Sequence, residues 1–346
     1  MSKNILFRVD SSFKLGSGHL VRCLTLAQQI LKTTTNTITF ITRKDDGNFN
    51  HLIKNNPEIK IIELPTEPDF DIKDDSIKTA EILKSFNSVD LLIIDHYQID
   101  ITWELVVQNH TKKIMVIDDL YNREHSCDFL LDQNIINLTN PYSNLVKKAC
   151  TFFLGPSYAL LREQFLDQKK QMNELANLET INSILLFFGG SDPENETIKA
   201  IIAVTSMNFK KIRCIVPNNF KVKEFIKNFE QHENIEFLSN VQDMASLLIN
   251  TDLYVGAGGS ITWERCCLGV TGVVVSIADN QTEIAEQLDQ QKFHYYLGTT
   301  KEVTVTSYIR TISEIIANLD ELNNYRRKSF QLVDGLGVEK IVESIL

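Results

Sequence analysis

Three glycine-containing segments of this 346-residue chain hold residue types that can do chemistry. The first runs R-V-D-S-S-F-K-L-G-S-G-H-L-V-R-C-L-T-L-A over residues 8–27, so that Gly16, Ser17 and Gly18 lead straight into His19. An imidazole at the start of a helix is biased toward its neutral form by the positive end of the helix dipole, and the neutral form is the one that accepts a proton. The second segment carries Gly256-Ala257-Gly258-Gly259-Ser260, then Glu264, then Asn280 and Gln281. Glycines ahead of a helix expose main-chain N–H groups that hold an anion with no lysine or arginine required, and Ser260 can cap the helix or donate to the same anion. Glu264, one helical turn further on, lies beside that loop, where a carboxylate accepts from ribose hydroxyls. The third is Phe188-Gly189-Gly190-Ser191-Asp192, a loop that matches the first by its place in its own half of the chain.

Each segment also has a plainer interpretation. Gly16-Ser17-Gly18 and Gly189-Gly190 serve as tight strand-to-helix connections, Asp192 and Asn280 as N-caps, and Glu264 as a first-turn carboxylate favoured by the dipole. The glycine pattern of a dinucleotide site is not completed, because Val21 stands where the last glycine would be; no dinucleotide cofactor is expected, and no other. Asp10, Asp95, Asp118 and Asp119 all fall at strand ends, where they could orient His19 or meet a sugar, and spacing does not rank them. The Asp118-Asp119 pair lacks further ligands at fitting spacing, so no metal is expected.

The elements that must carry these loops are legible as short apolar runs alternating with amphipathic, helix-length segments. Strands are predicted at 4–9, 37–41, 60–64, 90–94 and 113–117, and again at 183–188, 211–216, 235–238, 253–255 and 272–276. Continuous apolar strands separated by helices imply parallel sheets covered on both faces. Two such sets imply an α/β protein of two Rossmann-like domains. The expected boundaries are 1–165 for the first, joined by a C-terminal helix over 320–346, and 180–320 for the second, with a helix and linker over 163–182. The run Leu332 to Gly337, LVDGLG, is predicted to break the last helical stretch.

Bulk composition narrows the partners. Apolar residues make up 43%, enough for a substantial core, and 45 acidic against 35 basic side chains give a net charge of −10. Such a surface repels nucleic acid and anionic membrane at long range, so neither is an expected partner. The six cysteines form no C-x-x-C pair, and no apolar run reaches spanning length, so a cytoplasmic protein with reduced thiols is expected; a monomer is expected as well.

Taken together, these residues resemble the UDP-2,4-diacetamido-2,4,6-trideoxy-β-L-altropyranose hydrolases of pseudaminic acid biosynthesis. The resemblance is carried by R-x-D-S-S, G-S-G-H and R-C-L-x-L-A within 8–27, I-D-H-Y at 94–97, and I-D-D-L at 117–120 with a following Arg and His. It continues through C-D-x-L-L-D-Q-N at 127–134, L-G-P-x-Y-A-L-L-R at 154–162, F-G-G-S-D-P-x-N at 188–195, G-A-G-G-S-x-x-W-E at 256–264 and N-Q at 280–281. Thr271 and Glu163 stand where that family usually has proline. The resemblance implies a GT-B fold, two Rossmann-like domains with parallel sheets facing across a cleft, and a UDP-sugar as substrate. It implies His19 as the catalytic base, UDP held around Gly258, Gly259, Ser260 and Glu264, and Asp10, Tyr97, Asn280 and Gln281 along the sugar. Gly16, Ser17, Gly18, Arg22, Gly189 and Gly190 complete the expected substrate contacts. Two rivals share this fold, a glycosyltransferase that passes the sugar to an acceptor and a hydrolysing UDP-sugar 2-epimerase; a third alternative is a nucleotide-sugar binding module without turnover.

Overall fold

The structure is a computed structural model, and it describes residues 2–346 apart from 13, 14, 68, 137–139, 147, 148, 173 and 230. It divides into two compact units, residues 1–160 with 336–346, and residues 161–335.

The first unit is built on a parallel sheet of β1 (Asn4–Val9), β2 (Thr37–Arg43), β3 (Ile59–Leu64), β4 (Leu91–Asp95), β5 (Ile114–Ile117), β6 (Phe129–Asp132) and β7 (Thr151–Leu154). Their order is β3-β2-β1-β4-β5-β6-β7. Strand β1 is buried almost end to end, which is what a strand covered on both faces requires. Its alternate residues serve opposite cores. Ile5, Phe7 and Val9 pack with Leu20, Leu24, Ala27 and Ile30 of α1 (Gly18–Thr33) and with Val338, Ile341 and Ile345 of the final helix. Leu6 faces the other way, toward Ala80, Leu83, Trp103 and Val107. Helices α2 (His51–Lys54), α3 (Ile72–Lys84) and α4 (Ile101–Val107) complete the described α-helices before residue 160.

The second unit opens with α5 (Glu163–Gln171) and carries β8 (Ser183–Phe187), β9 (Lys211–Ile215), β10 (Ile235–Leu238), β11 (Leu253–Ala257), β12 (Gly272–Ser276) and β13 (Tyr295–Thr299). These are also parallel, ordered β10-β9-β8-β11-β12-β13. Its helices are α6 (Glu196–Thr205), α7 (Phe220–Ile226), α8 (Met244–Ile249), α9 (Ile261–Cys267), α10 (Thr282–Gln290), α11 (Val305–Ala317) and α12 (Leu319–Leu332). The chain then returns to the first unit as α13 (Gly337–Ile345).

Both sheets are doubly wound, with the chain reversing its direction of travel between β1 and β4 in one and between β8 and β11 in the other. Ligands of such sheets bind at the carboxyl ends of the strands that flank the reversal. The loops after β1, β4, β8 and β11 are therefore the positions to inspect. Strands β6, β7 and β13 were not among the predicted runs. β6 and β7 are four residues each, and β13 contains Gly298 and is only half-buried along its length, so none shows a long apolar block. The returning segment is shorter than expected: 319–332 packs within the second unit and only α13 crosses back.

Candidate active site

In the first unit, the loop after β1 turns on Gly16, whose φ of +74° suits glycine and whose N–H bonds the Ser12 carbonyl at 2.8 Å. Ser17 then precedes the first turn of α1, and His19 and Arg22 follow on one helical face. Across the sheet reversal, β4 ends at Asp95 and Tyr97 lies two residues beyond. The structure brings these together. Nδ1 of His19 is 2.6 Å from Oδ1 of Asp95. Two acceptors do not approach so closely without a proton between them, so in the neutral ring the hydrogen sits on Nδ1 and the lone pair on Nε2; Arg22 Nη2 lies 3.0 Å from the same Nδ1. The His19 ring also meets Tyr97 edge-on, with centroids 4.5 Å apart and planes at 86°.

Arg22 holds the far side of the carboxylate. Its Nε lies 2.6 Å from Asp95 Oδ2, its Nη2 2.6 Å from Oδ1, and its Nη1 3.1 Å from Asp119 Oδ2. Burial alone would raise the Asp95 carboxyl, but Arg22 and then His19 outweigh it and keep it well below the usual carboxylate range. Tyr97 is shifted upward by burial and by a hydrogen bond to Asp119. Arg22 thus directs its guanidinium to two protein carboxylates, a different use from the expected substrate contact.

Asp10 is placed inside the protein, 1% exposed. Its oxygens accept from Arg8 at 2.6 and 2.8 Å and from the Arg43 amide at 2.7 Å, and His96 Nε2 stands 3.2 Å away. Arg8 also reaches Asp75, which accepts from Trp103 Nε1 at 2.9 Å. Burial favours the neutral form of His96, and its Nδ1 accepts from the Gln98 amide. This is a closed interior network, and it holds Asp10 away from the sugar contact expected of it. Asp118 is likewise committed: it pairs with Arg123 at 2.6 Å and accepts from the Tyr121 amide.

In the second unit, the three loops expected to bind a nucleotide-sugar converge on one edge. Gly256 is obligatory: a Cβ there would stand 2.0 Å from the Phe187 carbonyl oxygen and 2.4 Å from the Tyr254 hydroxyl, which bonds that carbonyl and Ala257. Gly259 has φ +86°, and a Cβ on it would meet Nε2 of Gln281 at 3.6 Å. Gln281 accepts from the Ile277 amide at 3.1 Å, and Ile277 lies against Gly189. Gly190, Gly259, Ser260 and Asn280 are exposed, and among the described residues the amides of Gly259 and Ser260 donate to no group. Asp192 is not the N-cap anticipated for it, a position Asn195 holds, but its carboxylate reaches the start of α6 and accepts from the amides of Glu196 and Thr197 at 2.8 and 2.9 Å.

Glu264 has a partner that the motifs did not suggest. Arg162 Nη2 reaches its Oε1 at 2.9 Å, while Nη1 and the Gln164 amide turn to the Gln242 carbonyl. Burial raises the Glu264 carboxyl and Arg162 opposes it. Arg162 is the arginine that closes the L-G-P-x-Y-A-L-L-R run, and no spacing rule links it to Glu264, about a hundred residues further on.

No family model matches the chain. It is 28% identical over 292 residues to the UDP-2,4-diacetamido-2,4,6-trideoxy-beta-L-altropyranose hydrolase of Campylobacter jejuni, covering 84% of this chain and 97% of that protein. It is 24% identical over 344 residues to the spore coat polysaccharide biosynthesis protein SpsG of Bacillus subtilis, covering 96% and 94%. An uncharacterized protein of Methanocaldococcus jannaschii, MJ1062, is 25% identical over 302 residues, covering 85% of this chain but 60% of that longer protein, so the chain spans less than two thirds of it. Among solved structures, MurG of Acinetobacter baumannii superposes with a TM-score of 0.67 at 13% identity, covering 99% of each chain. Arabidopsis thaliana UGT89C1 complexed with UDP gives 0.69 at 12% over 99% and 100%. A putative UDP-N-acetylglucosamine 2-epimerase of Listeria monocytogenes gives 0.63 at 13% over 100% and 96%. With its two Rossmann-like sheets and these structural neighbours, the chain has the GT-B fold, and it is similar in sequence to the UDP-2,4-diacetamido-2,4,6-trideoxy-beta-L-altropyranose hydrolase of Campylobacter jejuni.

Proposed function

We propose that this protein hydrolyses the anomeric C1–O bond of a UDP-linked 2,4-diacetamido-2,4,6-trideoxy-hexose, releasing UDP and the free sugar with inversion, as a step of pseudaminic acid biosynthesis. The observation that carries this reading is the 2.6 Å contact between His19 Nδ1 and Asp95, which leaves Nε2 as acceptor. Nε2 takes a proton from water, the water oxygen bonds to C1, and the C1–O bond breaks with its electron pair leaving on UDP. Asp95 stabilises the imidazolium that forms, and a positioned base of this kind contributes roughly 10²–10⁴-fold. UDP is a good leaving group once its charge is held, so a second carboxylate acting as acid is not required.

The reading assigns nucleotide binding to Gly258, Gly259, Ser260 and Glu264 and sugar contacts to Tyr97, Asn280 and Gln281. Gly189 and Gly190 border the same edge as the nucleotide loop, and Gly16, Ser17 and Gly18 set the start of α1. It needs no metal, so turnover in EDTA should match turnover in magnesium.

The test is His19→Ala assayed with UDP-2,4-diacetamido-2,4,6-trideoxy-β-L-altropyranose, following UDP release and the anomer formed by NMR. Loss of at least 10²-fold in kcat with UDP affinity retained is expected. Near-normal turnover by the variant would remove the base assignment. UDP release by the unmodified protein with no acceptor present separates hydrolysis from glycosyl transfer, and configuration at C2 separates it from epimerisation.

A further inference from the structure

His19 and four side chains around it form a closed circuit. His19 bonds Asp95, Asp95 bonds Arg22 through two N–H groups, Arg22 bonds Asp119, Asp119 bonds the Tyr97 hydroxyl, and the Tyr97 ring meets His19 edge-on. The members come from three places in the chain: the first turns of α1, the end of β4, and the end of β5. Arg22 is 7% exposed and Asp95 1%.

We infer that Arg22 is a positioning residue that sets both the aim and the charge of His19, by bridging the carboxylate that holds the imidazole and the carboxylate that holds Tyr97. This rests on the reading of His19 as the base. The geometry uses a property of arginine alone: Nε and Nη2 form a planar fork on Asp95 while Nη1 points along a third direction to Asp119. A lysine ammonium can satisfy one of these carboxylates, but it lacks the fork.

Charge gives the arrangement a second consequence. Two carboxylates against one guanidinium leave the circuit one negative charge while His19 is neutral. Proton uptake by His19 brings it to zero, so the surroundings favour the charge that develops as water is deprotonated. Removing the guanidinium leaves two negative charges facing the imidazole with no cation between them. Removing the Asp119 charge acts in the opposite sense. The remaining groups nearby are the same in both variants: the Cys23 thiol 3.5 Å from Asp95 Oδ2, the Asp118–Arg123 pair, and Asp132 beyond Asp119.

The experiment measures the pH dependence of kcat/KM for Arg22→Met, Arg22→Lys and Asp119→Asn on the same UDP-sugar, with UDP affinity by calorimetry. For Arg22→Met, the acidic limb should move to higher pH by on the order of one unit, with Arg22→Lys intermediate. For Asp119→Asn it should move to lower pH, and UDP affinity should stay within about twofold throughout, since the loops assigned to UDP belong to the other unit. If Arg22→Met does not fold, the opposed displacements of Arg22→Lys and Asp119→Asn carry the test. With His19→Ala inactive, displacements of one sign in both variants, or none, overturn the role of Arg22 alone. An active His19→Ala overturns the base and Arg22 with it.

Discussion

Asp132 shows how much one buried carboxyl can tie stability to pH. It closes β6, is 1% exposed, and accepts from the Asn134 amide at 2.9 Å and from the Tyr142 hydroxyl at 3.1 Å. Burial, aided by Asp119 and Asp118, pushes it up to about 7. In the unfolded chain an aspartate titrates near 3.9. Between those two values the folded protein binds the extra proton, so this group's contribution is fully present below about pH 4 and is lost as pH rises through 7. The loss is on the order of 4 kcal/mol. Asp132→Asn keeps an acceptor for Asn134 and cannot ionise, so its melting temperature should gain on the parent as pH rises from 5 to 8. A difference that stays constant over that range would remove Asp132 as the source. Among the four strand-end aspartates singled out in the sequence, only Asp95 touches His19; Asp119 reaches it through Arg22, while Asp10 and Asp118 serve the framework. Their sequence positions are alike, and sheet order separates them.

At the level of elements, the path of the chain from α12 to α13 depends on two glycines of the LVDGLG run. Gly335 takes φ +82° between α12 and α13, and Gly337 begins α13 pressed against the turn before α5. A Cβ on Gly337 would stand 2.4 Å from the Ala159 carbonyl oxygen and 2.6 Å from the Tyr158 carbonyl carbon, both main-chain atoms that cannot rotate aside. Gly337→Ala must therefore lift α13 from its seat. Overpacking of this kind costs roughly 1–3 kcal/mol, which should lower the melting temperature of the first unit by about 2–12 °C. Gly335→Ala tests strain without that clash, and equal melting of Gly337→Ala and the parent would sink the argument. The run is visible in the sequence as a helix breaker, but the need for glycine at 337 comes from residues 158 and 159, far away along the chain.

For the whole molecule, α13 is what makes the first unit discontinuous. Val338, Ile341, Val342 and Ile345 belong to the same core as β1 and α1. Burying four such side chains contributes on the order of 6–12 kcal/mol, comparable with the entire stability of a typical domain. A chain ending at residue 335 should therefore lose the cooperative unfolding of the first unit and expose it to proteolysis, while 161–335 stays protected. Protection of both units in limited proteolysis would contradict this. The amino-acid sequence by itself determined the α/β class, ten of the strands and the three glycine loops, because hydrophobic period, turn chemistry and helix starts are properties of neighbouring residues. Tertiary structure alone decided which aspartate orients His19, that Asp10 is interior, that Glu264 pairs with Arg162, and that the return to the first unit begins after Gly335. Those outcomes depend on which strand ends lie side by side in a doubly wound sheet, and that is set by packing between segments distant in the chain.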